Sequence, residues 1–366
     1  MSGTTIYRFL FAGGGTGGHL YPALAVAQQI KLMKPEAEIL FVGTADKIES
    51  RVVPEYGFNF KSIWISGFSR KLTFANILFP LKLFVSMVQS LLIAMKFKPR
   101  VAIGSGAYVS GPAVWGASVL GSKIVLLEQN SYPGVTNRLL EKKADEIHIT
   151  FEESKKYFRD QQKLKLTGNP VRLNLNLIPK SDALKKFALT TDKKTVLIIG
   201  GSGGARDINE AVALSVTKLI SKNIQLIWQT GPFYYEQYKK FEGVNVRVMR
   251  FIDDMSAAYS ACDLLIARAG ATTITEVSFL GIPVIFVPSS HVAADHQTKN
   301  ARAISDASAA IMIEDKNLKS DLFPVIVELI SDEMKLNSLR ENIKAFAKPD
   351  AVKIIAGSII KMAESL

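Results

Sequence analysis

The 366-residue sequence is poor in cysteine and, over one long stretch, in acidic residues. Its single cysteine, Cys262, excludes an intrachain disulfide and a zinc site built from cysteines, and its neighbours predict a packed thiol where a helix leads into a strand. No Asp or Glu occurs from Tyr56 to Leu127, whereas eight Lys or Arg do. With a net charge of +12, this stretch indicates a polyanionic partner: nucleic acid, anionic lipid headgroups or a phosphorylated substrate.

Other absences narrow the class of protein. The N-terminal residues lack the basic segment and cleavage site of a signal peptide, so we expect a protein of the reducing cytoplasm. We find no low-complexity segment and no repeat of solenoid period. The length, with 48% hydrophobic residues, suits two domains.

Strands alternate with helices in both halves. A strand at Tyr7–Ala12 is followed by a glycine loop, Gly13–Gly18, and by a helix from about His19 to Met33; a strand at Thr195–Ile199 and a glycine loop at Gly200–Gly204 repeat this order. Further strands are predicted at 38–42, 101–103, 123–127, 146–150, 225–228, 244–248, 264–267 and 284–287. The alternation predicts an α/β fold of two doubly wound parallel-sheet domains facing across a cleft, with ligands at the carboxyl ends of the strands.

The first glycine loop, GGGTGGH at 13–19, favours phosphate or diphosphate binding over a simple turn, because glycines let backbone N–H groups approach phosphate oxygens. A nicotinamide dinucleotide needs an acidic residue after the second strand, where Val42-Gly43-Thr44 stands instead. A P-loop needs a Lys-Ser/Thr pair that is absent here. His19 is either a general base or a helix-start histidine bonded to the backbone.

Three further segments suggest anion or nucleotide contacts. The glycine-rich loop Gly104–Pro112 also follows a strand and, like the first loop, is predicted to bind an anion. Ser202, in the segment Gly200–Arg206, places a hydroxyl beside a helix N-terminus. In Arg268–Glu276, the Glu276 carboxylate either accepts hydrogen bonds from ribose hydroxyls or stabilises the first turn of its helix.

A metal site is not expected. The segment His291–Asn300 has no third ligand at a suitable spacing, and no Asp-x-Asp motif of metal-dependent nucleotide-sugar transferases occurs. Helix N-termini can supply positive potential for an anionic ligand instead, and no cofactor is expected.

The segment Phe74–Met95 is the most hydrophobic part of the chain. Pro80 and Lys82 interrupt it, so it is too short to span a bilayer. A core helix explains part of it, but the flanking basic residues favour an interfacial helix on anionic lipid. The predicted membrane contacts are Ile77, Leu78, Leu81, Phe84, Lys71 and Lys82.

These motifs together resemble those of the MurG family, the lipid I N-acetylglucosaminyltransferases of peptidoglycan synthesis. The similar segments, in the family's order, are GGGTGGH at 13–19, GAYVSGP at 106–112, EQN at 128–130, TGNPVR at 167–172, GGSGGAR at 200–206, FIDDM at 251–255, RAGATTITE at 268–276 and HQTKNA at 296–301.

The resemblance implies a GT-B glycosyltransferase of two Rossmann-like domains. It implies an acceptor and membrane domain at 1–172, joined by the last helix at 347–366, and a donor domain at 173–346. The implied reaction is an inverting, β-1,4 transfer of N-acetylglucosamine from UDP-N-acetylglucosamine to undecaprenyl-diphosphate-linked N-acetylmuramoyl-pentapeptide (lipid I), giving lipid II. The enzyme would act as a peripheral protein on the cytoplasmic face of the plasma membrane, alongside other cell-wall synthesis proteins.

The resemblance also implies site residues. The donor would contact Thr16, Gly17, Gly18, Asn130, Arg172, Ser202, Ile252, Ala271, Thr272, Thr273, Ile274, Thr275, Glu276 and Gln297. The acceptor diphosphate would contact Gly14, Gly15, Ser105, Gly106 and Tyr108. Many relatives have a histidine where this chain has Leu127, so the base is either His19, which we prefer, or Glu128.

Two rival functions are weaker. Another GT-B enzyme, such as a diglyceride glucosyltransferase, differs only in its acceptor. A non-enzymatic nucleotide-binding or RNA-binding protein would need exposed stacking aromatics, whereas the acid-free stretch is apolar, so no nucleic-acid partner is expected.

Overall fold

The chain forms two compact units in the computed structural model, which describes residues 7–67, 77–173, 175–289 and 295–366. Unit 1 comprises Met1–Leu173 with Lys348–Leu366, and unit 2 comprises Asn174–Ala347. The strands, in chain order, are β1 (Arg8–Ala12), β2 (Glu38–Gly43), β3 (Asn59–Ser62), β4 (Val101–Gly104), β5 (Lys123–Glu128), β6 (Glu146–Ile149), β7 (Leu164–Leu166), β8 (Lys194–Ile199), β9 (Ile224–Gln229), β10 (Val246–Met249), β11 (Leu264–Ala267), β12 (Val284–Phe286) and β13 (Ile311–Met312).

The helices follow the strands in the order of a doubly wound fold. They are α1 (Gly17–Met33), α2 (Ile48–Glu55), α3 (Phe79–Phe97), α4 (Ala107–Val119), α5 (Val135–Leu140), α6 (Lys180–Lys186), α7 (Arg206–Ser221), α8 (Tyr235–Tyr238), α9 (Met255–Ala261), α10 (Ala271–Leu280), α11 (His296–Asp306), α12 (Leu318–Ser331), α13 (Glu333–Lys344) and α14 (Ala351–Glu364). Short 3-10 turns lie at Glu141–Lys143, Glu152–Tyr157, Gln161–Lys163, Lys239–Phe241 and Asp315–Asn317.

Unit 1 contains a seven-stranded sheet in the order β3-β2-β1-β4-β5-β6-β7, and its paired strands are parallel. Phe9 and Phe11 of β1 pack into a core with α1 and α14, whereas Leu10 and Ala12 pack into a second core with α4. Since both faces of the sheet are buried, its central strands are continuous apolar runs.

Unit 2 contains a six-stranded sheet in the order β10-β9-β8-β11-β12-β13, again with parallel pairs. Val196 and Ile198 of β8 share a core with residues of α7, α12 and α13. The prediction of two doubly wound parallel sheets is confirmed. The unpredicted strands β3, β7 and β13 are short and lie at sheet edges.

The last helix, α14, belongs to unit 1. Ile355 and Ile359 are buried in the core that α14 shares with α1. The Ser358 hydroxyl donates a 2.5 Å hydrogen bond to Glu146 of β6. The pKa of Glu146 is lowered to about 2, first by its hydrogen bond with His148 and also by Ser358.

The helix α3 packs against α4 through small residues. Its buried residues, Ser86, Ser90 and Ala94, recur every four positions and so form one face. A Cβ atom on Gly116 of α4 would lie 2.9 Å from the backbone of Ser90 and Leu91. Leu83, Ile93 and Phe97 are partly buried against the same core, and the exposed apolar side chains of α3 lie on its other faces.

We predict opposite effects for the same substitution in two helices of unit 1. Gly116→Ala forces α3 away from α4 and should lower the free energy of unfolding by about 1–3 kcal/mol. Gly357→Ala in α14 meets no atom within 4 Å and should raise it by up to about 1 kcal/mol, through helix propensity. Urea denaturation measures both, and equal effects would contradict the close packing.

Candidate active site

The first glycine loop joins β1 to α1 with its first glycines turned inward. Gly13 and Gly14 are buried, and Gly15 has a φ of +76°, which favours glycine. Thr16 occupies the N-cap of α1, but its side chain makes no capping hydrogen bond. Thr16 and Gly18 are exposed, so this end of the loop is the part open to a ligand.

A buried carboxylate lies behind this loop. Glu49 of α2 is 1% exposed, and its Oε2 accepts a 2.8 Å hydrogen bond from the Gly15 N–H. Its Oε1 accepts hydrogen bonds from the Thr44 N–H (3.0 Å) and hydroxyl (2.8 Å). A Cβ on Gly14 would lie 2.3 Å from the Glu49 carboxyl carbon. The Gly15 N–H is therefore engaged inside the protein, which removes it from the donors predicted for a diphosphate.

The second glycine loop packs directly on the first. The Ser105 hydroxyl donates to the His19 carbonyl (2.8 Å), and a Cβ on Gly13 would lie 1.8 Å from the Ser105 oxygen. Gly106 has a φ of +92°, and a Cβ there would lie 2.8 Å from Nδ1 of His19. Ala107, which opens α4, also has a positive φ of +61°. These consecutive left-handed residues are a strained turn of the kind found at functional sites.

Tyr108 and Thr44 connect the second loop to the Glu49 cluster. Burial raises the pKa of the Tyr108 phenol, while its hydrogen bond with Thr44 acts in the opposite direction. Both predicted acceptor loops therefore contact groups that Glu49 holds.

The imidazole of His19 is fixed through one nitrogen. Nδ1 lies 2.8 Å from the Ser105 carbonyl oxygen and 3.1 Å from Oε1 of Gln129. The described residues provide no hydrogen-bond partner for Nε2. His19 is half-buried, so the ring is held and still partly open to solvent.

Glu128, the alternative base, lies at the end of β5 and is 2% exposed. Its Oε1 accepts from the Asn130 N–H (2.9 Å) and side chain (3.3 Å). Its Oε2 accepts from the Gly134 N–H (3.0 Å) and the Asn137 side chain (2.9 Å). These four hydrogen bonds fix the carboxylate and shape the loop that carries Asn130.

Arg172 lies in unit 1 and its guanidinium carbon is 4.1 Å from the centre of the Tyr21 ring, a cation–π contact. Tyr21 also contacts the first loop, because a Cβ on Gly17 would lie 3.0 Å from its ring. This stacking places the Arg172 charge near the N-terminus of α1.

In unit 2, the glycine loop after β8 presents Ser202 to solvent. Gly201 and Gly204 have positive φ angles, and a Cβ on Gly204 would lie 2.1 Å from the Thr230 carbonyl oxygen. Glycine is therefore required for the packing of this loop, independently of any ligand.

Gln229 links that loop to Ile252. The Gln229 side chain donates to the Gly201 carbonyl (3.0 Å) and accepts from the Ile252 N–H (2.8 Å). Ile252 is 1% exposed. Its N–H is already paired, so a base contact through its backbone would use the carbonyl.

The helix α10 divides its predicted site residues into two groups. Ile274 is buried and the Thr275 hydroxyl donates back to the Ala271 carbonyl (2.8 Å), so both side chains are engaged within the protein. Thr272 and Thr273 are half-buried in the first turn, beside its N–H groups.

Glu276 and Gln297 are both held by neighbours. The Tyr259 hydroxyl donates to Oε2 of Glu276 (2.8 Å), and Glu276 is 3% exposed. Oε1 of Gln297, at the start of α11, accepts from the Ser289 N–H (3.0 Å). Cys262 follows α9, where burial raises the pKa of its thiol to about 12, so it is unsuited to nucleophilic chemistry.

The exposed face of α3 is strongly apolar. Ile77 and Leu78, just before it, and Leu81, Phe84, Val88, Leu92 and Met95 within it are exposed. The sequence predicted that Pro80 and Lys82 leave this segment too short to span a bilayer, but by length and composition α3 is the one described helix that could cross a membrane. Only 17% of its most apolar window is buried. The Lys82 amine contacts Ser66 (3.1 Å) and the Trp64 ring. Lys71, also predicted at this surface, lies outside the described residues.

The sequence interpretation missed four residues that organise the site: Glu49, Gln129, Gln229 and Tyr259. Gln129 stands inside the EQN segment, so its position was a signal. Glu49 had no comparable signal, because only the fold brings it under a loop 34 residues away.

Comparisons with known proteins identify the family of the chain. Models of the N-terminal and C-terminal domains of glycosyltransferase family 28 match residues 9–149 and 195–355. A Flavobacterium psychrophilum protein named UDP-N-acetylglucosamine–N-acetylmuramyl-(pentapeptide) pyrophosphoryl-undecaprenol N-acetylglucosamine transferase is 46% identical over 362 residues, covering 98% of each chain. A Clostridioides difficile protein of the same name is 40% identical, covering 98% of this chain and 90% of the relative.

Solved structures show the same fold. The crystal structure of Acinetobacter baumannii MurG matches with a TM-score of 0.73 at 25% identity, covering 97% of this chain and 99% of that one. A calicheamicin glycosyltransferase matches with a TM-score of 0.70 at 13% identity, which shows the fold alone.

We predict that Glu49→Gln destabilises unit 1. The amide keeps the shape but has one acceptor oxygen for three donors, so the free energy of unfolding should fall by about 1–3 kcal/mol. Glu55→Gln on the same helix is the matched control: Glu55 is exposed and pairs with the exposed Arg51, so its change should stay within about 0.5 kcal/mol. Urea denaturation compares the two, and similar small losses would contradict the role of Glu49.

Proposed function

The chain belongs to glycosyltransferase family 28 and, within it, to the MurG family, and from this membership we propose that it transfers N-acetylglucosamine from UDP-N-acetylglucosamine to lipid I, giving lipid II and UDP. The observation that best supports this function is the 46% identity to a lipid I N-acetylglucosaminyltransferase over 98% of both chains. Its two parallel-sheet units have the GT-B architecture of such enzymes.

His19 is the general base of the proposal. The acceptor 4-hydroxyl gives its proton to Nε2, the acceptor oxygen bonds to the sugar C1 with inversion, and the C1–O bond to the diphosphate breaks to release UDP. The free Nε2 of a ring held through Nδ1 supports this role. We assign Glu128 the positioning of Asn130 instead, because both of its carboxylate oxygens already accept hydrogen bonds from the segment 130–137.

Unit 2 is the proposed donor domain. The N–H groups at the start of α10, with Thr272, Thr273 and Ser202, contact the UDP diphosphate and sugar, and Glu276, oriented by Tyr259, contacts the ribose. Ala271 contributes backbone, the Ile252 carbonyl contacts uracil, and Gln297 lines the same site.

Unit 1 is the proposed acceptor domain. The turn at Ser105–Tyr108 and the exposed end of the first loop bind the acceptor diphosphate, with Gly14 and Gly15 shaping that loop from behind. Arg172, Asn130 and Thr16–Gly18 contact the donor sugar and nucleotide, where positive potential stabilises the leaving diphosphate.

The apolar face of α3 is the proposed membrane contact. Its side chains enter the lipid interface while Lys82 and the other flanking basic residues meet anionic phospholipid headgroups. This contact makes the enzyme peripheral on the cytoplasmic face of the plasma membrane, where lipid I and other cell-wall synthesis proteins are found.

Transfer of labelled sugar to a lipid I analogue tests the function. We expect product with UDP-N-acetylglucosamine in the presence of EDTA and none with UDP-glucose, because no metal is required and the donor site is selective. Absence of product, with UDP still bound, would contradict the proposed acceptor and favour another lipid.

Vesicle sedimentation tests the membrane contact. Replacing Leu78 and Phe84 with Ser should lower binding to anionic vesicles at least tenfold, since each loses roughly 1.5–3 kcal/mol of apolar burial. The matched control replaces Leu214 and Val244, two exposed apolar residues of unit 2, and should bind as the wild type does. Equal binding by both variants would refute the interface on α3.

A further inference from the structure

The protonated nitrogen of the His19 ring follows from its partners. Nδ1 lies 2.8 Å from the main-chain carbonyl of Ser105, which can only accept a hydrogen bond. Nδ1 therefore carries the hydrogen, and in the neutral ring Nε2 is the only nitrogen with a lone pair available for a proton.

Gln129 contributes a second acceptor to the same N–H. Its Oε1 lies 3.1 Å from Nδ1, and its Nε2 donates to the Leu127 carbonyl (3.3 Å). The reverse amide orientation would set an NH₂ donor against the Nδ1–H and a carbonyl against a carbonyl. Gln129 is 2% exposed, so this arrangement is held by packing.

We propose that Gln129 is a positioning residue that, with the Ser105 carbonyl, holds His19 in the Nδ1–H tautomer and presents Nε2 to the acceptor hydroxyl. The inference rests on the proposed function, in which His19 is the base. A neutral amide fixes the tautomer without adding charge. A carboxylate at this place would favour the imidazolium, which cannot take a proton from the acceptor.

The charged side chains near the start of α1 are bonded to groups other than the His19 ring. Glu49 of α2 bonds to Gly15 and Thr44, and the Glu128 carboxylate bonds to the segment 130–137. Arg172 stacks on Tyr21. None of the three is a hydrogen-bond partner of the His19 ring in the described chain, and α4 contributes Tyr108, which interacts with Thr44.

The test compares Gln129→Glu and Gln129→Leu with Gln162→Glu, which adds the same charge at an exposed site of unit 1. Histidine-labelled protein reports the tautomer and titration of His19 by ¹⁵N NMR, with its signal among the four histidines assigned from His19→Ala. Steady-state transfer gives kcat against pH, and calorimetry gives UDP affinity as a check that each variant is folded.

We expect the wild-type ring to be protonated at Nδ1 when neutral. Gln129→Glu should move the midpoint of the His19 NMR titration to higher pH by about 1–2 units, because an opposite charge stabilises the imidazolium. The pH at which kcat falls on the acid side should rise by the same amount. Gln129→Leu should lower kcat roughly 10- to 100-fold through loss of ring orientation, with UDP affinity within about twofold of the wild type. Gln162→Glu should change neither.

Two results distinguish failure of the Gln129 assignment from failure of His19 as the base. If Gln129→Glu leaves the NMR titration and the acid limb in place while His19→Ala abolishes transfer, Gln129 has no positioning role and the base assignment stands. If His19→Ala retains full transfer, the base assignment fails, and the inference falls with it.

Discussion

Close contact between two glycine-rich loops is the constraint on which the site in unit 1 depends. A Cβ atom at Gly13 would overlap the Ser105 hydroxyl, and one at Gly106 would press on the His19 ring. Because those atoms are absent, the Ser105 hydroxyl can donate to the His19 carbonyl. The Ser105 carbonyl can at the same time accept a hydrogen bond from the His19 ring. The glycines therefore position a histidine, and the parallel sheet brings both loops to one edge.

The sequence predicted the elements that repeat a strong pattern. Buried strands such as β1 and β8 are continuous apolar runs followed by glycine loops, so their place and the two-domain α/β fold could be read directly. The strands β3, β7 and β13 could not, since they are two to four residues long, lie at sheet edges and lack alternation. Their pairing depends on a neighbouring strand that is already in place.

The sequence pointed to candidate site residues, but it could not show which residues they contact. His19, Ser105 and Glu276 stand in recognisable segments, but their partners lie far away in the chain: Ser105 is 86 residues from His19, and Gln129 is 110. The same limit applies to Gly15, whose N–H donates to Glu49, 34 residues away. On α3, composition left a core helix and an interfacial helix open. The structure buries the small residues Ser86, Ser90 and Ala94 and exposes one face of large apolar residues, which only the contact with α4 determines.

A structure of the protein with UDP and a soluble lipid I analogue bound tests the central claim most directly, that the carboxyl edge of the first sheet holds the acceptor against His19. The account predicts the acceptor 4-hydroxyl within about 2.6–3.2 Å of Nε2 of His19, with UDP on the α10 side of unit 2. An acceptor hydroxyl bonded to Glu128, or to neither residue, would contradict it.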